Sequence, residues 1–178
     1  MSHLNCKPMS TSDAILVLTT GGTIDKQYFD ALSQYQITDT TVAKLLTIAR
    51  ITHPHYVEEV LRKDSLELTD EDRARIVERV KNGPFSRIVI THGTDTMTVT
   101  ARALSNIVDK TIVLTGALTP ARFSESDATF NLGMAFAAAQ IAPYGVYITM
   151  NGFVFPSDQV VKDYERGYFV PKADAREA

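Results

Sequence analysis

Apolar positions along this chain fall into two patterns. Residues 14–18, Ala-Ile-Leu-Val-Leu, form an unbroken run, as expected of a strand buried on both faces. The run ends in Thr20-Gly21-Gly22-Thr23, where two glycines permit a sharp turn and leave amide N–H groups uncovered by side chains. Residues 25–39 are polar and turn-prone. Their aromatics Tyr28, Phe29 and Tyr35 follow no period, which predicts a long irregular segment beside that corner. Residues 40–51 place Val42, Leu45, Leu46 and Ala49 at helical spacing, and Pro54 closes that stretch. Residues 56–61 offer a second strand leading to Asp64-Ser65. Thr69 with Asp72 predicts a capping box for a helix over 70–81, its Ile76, Val77 and Val80 inward, stopped by Asn82-Gly83-Pro84.

The pattern then repeats. A strand over 87–91 runs into His92-Gly93-Thr94-Asp95-Thr96, again an apolar strand, a glycine corner and threonines at the exit. A helix over 96–107, a strand over 111–114, an irregular loop over 115–127 and an alanine-rich helix over 128–141 follow. Residues 145–150 read as a strand, and Asn151-Gly152 as a hairpin turn returning through 153–155 towards Val160-Val161-Lys162. The last dozen residues are polar and show no period. Strands alternating with helices predict an α/β fold: a doubly wound, mostly parallel sheet sandwiched by helices, with an antiparallel hairpin near the C-terminal end. Residues 1–13 are expected to form a disordered leader and 14–178 a single domain. Ligands bind at the carboxyl ends of strands in such sheets, so both glycine corners are expected to face one pocket.

Composition narrows the class. The chain has 178 residues, 44% of them hydrophobic, enough for one well-packed domain. A net charge of −3 without any long Lys/Arg run argues against nucleic-acid or polybasic membrane partners. The single cysteine, Cys6, excludes an intrachain disulfide framework and fits a reducing compartment. No apolar run approaches the roughly 20 residues that span a bilayer. No secretory h-region precedes Ala14, so a cytoplasmic location is expected.

The two corners, Thr20-Gly21-Gly22-Thr23-Ile24 and His92-Gly93-Thr94-Asp95-Thr96-Met97, together resemble the signatures of the bacterial-type L-asparaginases, a family of threonine-dependent amidohydrolases. The resemblance continues through Leu114-Thr115-Gly116-Ala117, Ser126-Asp127 and Asn131-Leu132. It covers residues 14–162 and only the larger, N-terminal domain of the usual member. It implies hydrolysis of L-asparagine to L-aspartate and ammonia through an acyl-threonine intermediate, without a cofactor. A threonine hydroxyl is a poor nucleophile until a neighbour takes up its proton. By resemblance Thr23 is the nucleophile, and Tyr28 orients or deprotonates it. As a free phenol, Tyr28 would need a perturbing neighbour for that, and an ordinary loop aromatic is the alternative. Thr20 reads as structural.

The resemblance also implies a second set, Thr94, Asp95 and Lys162, in which the lysine stabilises a developing alkoxide or activates water. Asp95 is further expected to bind the substrate's α-ammonium, or else to cap the following helix. Asp64 and Ser65, with Gly22, are expected to hold the substrate, the α-carboxylate falling to the Ser65 hydroxyl and backbone amides. A turn ahead of a helix is the alternative reading of that pair. His92 reads as structural support for its corner. His53 and His55 lack carboxylate or cysteine partners, so no metal is expected. There is no Gly-x-Ser-x-Gly elbow, Gly-x-Gly-x-x-Gly fingerprint or P-loop lysine. The expected partners are a small amino-acid substrate and further copies of the chain in a homodimer or homotetramer, as the resemblance implies. A non-catalytic asparagine- or aspartate-binding protein is the alternative function, and glutamine an alternative substrate.

Overall fold

The computed structural model describes residues 13–29 and 34–175. Five parallel strands, β1 (Ile15–Thr19), β4 (His55–Glu59), β5 (Arg87–Thr91), β6 (Thr111–Thr115) and β7 (Gly145–Met150), are joined at one edge by antiparallel β8 (Phe153–Pro156). The sheet order is β4-β1-β5-β6-β7-β8. Two small antiparallel pairs lie outside it: β2 (Lys26–Phe29) with β3 (Gln34–Ile37), and β9 (Val160–Asp163) with β10 (Tyr168–Pro171). The fold is the expected doubly wound α/β sheet.

Strand periodicity divides the core. Ile15, Val17, Val89 and Val113 face α1 (Val42–Ile48) and α4 (Ala128–Ile141), packing on Val42, Leu46, Leu132 and Phe136. Leu16, Leu18, Ile88, Ile90, Ile112 and Leu114 face α2 (Asp70–Asn82) and α3 (Met97–Leu104), packing on Ile76, Val80, Met97 and Leu104. Full burial of β1 and β6 on both faces explains their unbroken apolar sequence. The capping box on α2 is present, Thr69 and Asp72 satisfying each other's backbone.

The helices' sides reveal a chirality that the pattern alone does not carry. From β5 to β6 the chain steps across the sheet and places α3 on one face; from β6 to β7 it steps the same way and places α4 on the opposite face. The β1–α1–β4, β4–α2–β5 and β5–α3–β6 connections share one hand, and β6–α4–β7 has the other. A left-handed crossover is rare. Here it carries residues 116–127 under the carboxyl ends of β1 and β6, where Ala121 N–H donates to Ile24 O at 3.2 Å.

Three expectations need correction. Residues 25–39 are not irregular, because they contain the β2–β3 hairpin, with Tyr28 opposite Tyr35. A two-stranded ribbon standing off the body buries neither face fully, so it leaves no alternation to read. The polar C-terminal stretch contains β10, whose Phe169 and Val170 are buried. The first helix is shorter than expected, ending at Ile48 before Arg50, which adopts φ +54°. The leader expected over 1–13 lies outside the described residues except for Asp13, which sits 3.8 Å from the Arg87 guanidinium. Among the described residues no helix is long and apolar enough to cross a membrane.

Candidate active site

The carboxyl ends of β1, β4 and β5 meet at very close range. Gly22 has φ +85°, and a Cβ placed on it would lie 2.5 Å from Gly93 N and 2.6 Å from Gly93 Cα. A Cβ on Gly93 would lie 2.6 Å from Ser65 Oγ, and one on Gly21 2.8 Å from Lys63 O. Gly21 against Lys63 and Gly22 against Gly93 are therefore in backbone contact, and Gly93 makes room for the Ser65 side chain, which explains why glycine occupies both corners. Thr20 ties the first corner to the second, donating from N and Oγ1 to Thr91 O at 3.1 and 2.9 Å. Thr23 follows Gly22 at the start of a 3₁₀ turn, half-buried. Its hydroxyl makes no hydrogen bond among the described residues.

The second corner carries the charged cluster. Lys162 Nζ, on β9, donates to Thr94 Oγ1 at 2.8 Å and to Asp95 Oδ1 at 2.5 Å. Its side chain is only 13% exposed, so the two oxygens are what replaces its water. The β9–β10 pair brings it there: Val160 and Phe169 anchor in the core, and Phe169 N–H donates to Asn151 Oδ1 at 2.9 Å. Asp95 does not cap α3. Thr96 occupies that position, and its hydroxyl instead donates to Ser65 O at 2.7 Å. Tyr164 completes the cluster, donating to Asp95 O at 3.0 Å, with its ring centroid 5.1 Å from Lys162 Nζ. Burial, then the Asp95 charge, raise the Tyr164 phenol above its ordinary value.

Asp64 and Ser65 lie at a short 3₁₀ turn after β4. Asp64 Oδ1 accepts from Leu66 N–H at 3.1 Å, and Oδ2 lies 2.7 Å from Lys26 Nζ. Burial alone would raise this carboxyl, but Lys26 and the Leu66 N–H outweigh it and hold it below the ordinary aspartate value. The Ser65 hydroxyl is buried and without a hydrogen-bond partner among the described residues, an uncommon condition for a polar atom in a folded chain. Tyr28 is placed differently. It stands on β2, 44% exposed, its ring centroid 5.2 Å from that of Tyr35, and no hydrogen bond joins it to Thr23 among the described residues.

His92 is fully enclosed beneath the second corner. Nδ1 donates to Gly93 O at 2.7 Å, which leaves Nε2 to accept from Thr100 Oγ1 at 2.8 Å. Burial pushes its pKa down to about 4. A neutral ring with both nitrogens engaged is a brace for the corner. Four threonines, Thr19, Thr91, Thr115 and Thr149, stand in register across β1, β5, β6 and β7 just below the site. His53 and His55 engage backbone carbonyls. A groove of about 690 Å³ between α2 and α3 contains none of these residues.

Sequence reasoning missed Lys26, Asp25 and Tyr164. Buried Asp25 accepts from Thr41 N–H at 2.8 Å and from the Thr40 and Thr41 hydroxyls, fastening the start of β2 to α1. Burial nevertheless raises its pKa. The sequence signal for these residues was the charged pair Asp25-Lys26 immediately after the first corner, and a tyrosine two residues beyond the lysine Lys162.

The class defined by this fold and site is a doubly wound α/β protein whose paired Gly-Thr corners are served by a Thr–Lys–Asp cluster. The chain belongs to the asparaginase family: the model for the asparaginase N-terminal domain matches residues 14–166. An L-asparaginase of Thermococcus kodakarensis is 32% identical over 163 residues, spanning 86% of this chain and 48% of the relative. The solved structure of the thermostable L-asparaginase from that organism superposes with a TM-score of 0.78 at 29% identity, covering 89% of this chain and 51% of that one. A glutaminase-asparaginase of Acinetobacter glutaminasificans is 34% identical over 113 residues, 58% of this chain and 34% of its own. A component of the glutamyl-tRNA(Gln) amidotransferase from Methanococcus vannielii is 40% identical over 99 residues, 54% of this chain and 22% of its own. The chain thus spans about half the length of the L-asparaginase it matches, or less of the others.

Proposed function

We propose that this protein hydrolyses L-asparagine to L-aspartate and ammonia through an ester on Thr23. The observation that carries this reading is Lys162 donating at once to Thr94 Oγ1 and Asp95 Oδ1 from a largely buried position. Thr23 Oγ1 attacks the side-chain amide carbon, and its proton passes to the departing nitrogen as the C–N bond breaks. The corner amides at Gly22 are candidates to receive the developing oxyanion. Water beside Thr94 then attacks the ester carbonyl carbon. As the bond from that carbon to Thr23 Oγ1 breaks, the water's proton passes to Thr23 Oγ1 and aspartate is released, with Lys162 holding Thr94 and Asp95 around the water. Asp95 holds the lysine, and its second carboxylate oxygen remains for the substrate's α-ammonium. The Ser65 hydroxyl, without a partner of its own among the described residues, suits the α-carboxylate, while Asp64 is already engaged by Lys26. Tyr28 assists Thr23 once substrate brings the two together.

Residues 14–178 act in this reading as one domain, in the cytoplasm and as a homodimer or homotetramer, with no cofactor. Glutamine is a lesser substrate, since one methylene changes discrimination by only about 1–3 kcal/mol. Tyr28 standing 44% exposed, with no hydrogen bond to Thr23 among the described residues, favours one competing reading, a pocket that binds asparagine or aspartate without turnover. Ammonia release from L-asparagine, measured for the parent, Thr23→Ala and Thr94→Ala, separates them. Turnover lost in both variants supports hydrolysis. A folded parent without turnover, whose melting temperature rises with aspartate, supports the binding protein instead.

A further inference from the structure

The β2–β3 hairpin is held to the body at one charged point that the chemistry above does not use. Lys26 Nζ and Asp64 Oδ2 are 2.7 Å apart, with side chains only 27% and 25% exposed. Both Asp64 oxygens are engaged, since Oδ1 accepts from Leu66 N–H. The pair therefore joins the hairpin to the very turn that presents Ser65. Residues two apart on a strand share a face, so Lys26 and Tyr28 project from the same side of β2. Their cross-strand neighbours Ile37 and Tyr35 complete that face. Ile37 Cγ2 comes within 3.1 Å of where a Cβ on Gly21 would stand, so this face is the one turned to the first corner.

The hairpin's other polar anchors among the described residues hold its root, and Tyr35 meets Phe123 edge-on with ring centroids 6.3 Å apart. Asp25 is fastened to Thr40 and Thr41, and Thr38 N–H donates to Asp25 O at 3.1 Å. These polar contacts lie at the ends of the two strands and do not by themselves fix the roll of the ribbon. The Lys26–Asp64 pair resists that roll, because it grips the side chain on the face that also carries Tyr28.

We propose that Lys26 is a positioning residue: paired with Asp64, it sets the height and tilt at which β2 presents the Tyr28 phenol to the Thr23 corner. Isolated surface ion pairs contribute little stability. The value of this one is geometric, and hydrolysis is sensitive to misplacement of a group that moves a proton. The catalytic part of the proposal rests on the amidohydrolase reading above; the structural part stands without it.

The chain has no tryptophan, so Tyr28→Trp introduces the sole tryptophan, whose emission is read selectively at the position in question. Acrylamide quenching and anisotropy are compared for Tyr28→Trp alone and combined with Lys26→Met or Lys26→Arg, with thermal unfolding as the check on folding. Tyr28 is 44% exposed, so release of the strand raises quenching roughly twofold in the methionine variant, with lower anisotropy. Arginine restores both. With Tyr28 intact, Lys26→Met lowers kcat roughly tenfold at a nearly unchanged KM for asparagine, and Lys26→Arg recovers most of it. Unchanged quenching and anisotropy overturn the proposal. Changed fluorescence with unchanged kcat also overturns it, leaving Lys26 a simple anchor. A parent without turnover overturns the hydrolase reading, while the fluorescence comparison still decides the role of Lys26.

Discussion

Replacing Gly22 by alanine isolates the contact on which the site is built. Gly22 combines φ +85° with ψ −169°, a region open almost only to glycine, and an alanine there costs about 1–3 kcal/mol in backbone strain. The added Cβ would also stand 2.5 Å from Gly93 N. The atom it meets is backbone, not the end of a flexible side chain, so relief requires the two corners to separate. Overpacking of that kind costs about 1–3 kcal/mol more. The combined loss is about 2–6 kcal/mol, a large share of the 5–15 kcal/mol typical of a folded domain. Gly133 is the matched control: it lies within α4, and a Cβ there meets nothing within 4 Å. Gly133→Ala is expected to gain about 1 kcal/mol from helix propensity alone. Urea unfolding of the parent and both variants, compared at constant m, measures the difference. A Gly22→Ala loss below about 1 kcal/mol would refute the claim that the corners are in contact through bare backbone.

Two further outcomes follow from the charged and titrating groups. In the unfolded chain His92 takes up a proton near its ordinary 6.5, but in the folded chain only near 4. The unfolded state binds more protons across that window, so stability is fully present above about 6.5 and falls as pH drops towards 4. The full loss approaches about 3 kcal/mol, and the difference in urea midpoint between parent and His92→Gln should shift against the parent as pH falls through that window. At the second corner, Lys162→Met should lower kcat about 10²–10³-fold in the ammonia assay, by removing the cation that holds Thr94 and Asp95 around the attacking water. Activity within a few-fold of the parent would remove Lys162 from the chemistry.

How far the sequence carried these conclusions depended on how completely each segment is buried. β1 and β5 were legible because burial on both faces leaves no polar position within Ile15–Leu18 or Ile88–Ile90. The α2 cap and the Asn151-Gly152 turn were legible because local backbone chemistry determines them; Asn151 and Gly152 both adopt positive φ, as a two-residue hairpin turn demands. The β2–β3 hairpin was not, because Tyr28 and Tyr35 satisfy each other at the surface instead of marking a buried face. The opposite hand of the β6–α4–β7 crossover was also hidden. Alanine-rich α4 packs closely against the sheet, and its composition does not say which face it takes. Tyr164 was missed because its role depends on the β9–β10 pair folding back against Asp95, a contact 69 residues apart in sequence. The motif residues Thr23, Thr94 and Asp95 could be named from their corners, whereas the Lys26–Asp64 pair needed the fold to bring them within 2.7 Å.

The most direct measurement is chemical. The protein is mixed with L-asparagine, quenched in acid during turnover, digested and mapped by mass spectrometry for an aspartyl ester. The expected result is an adduct on the peptide containing Thr23, enriched when Lys162→Met slows its hydrolysis and absent in Thr23→Ala. An adduct on Thr94 or elsewhere, or steady ammonia release by Thr23→Ala, would contradict Thr23 as the nucleophile.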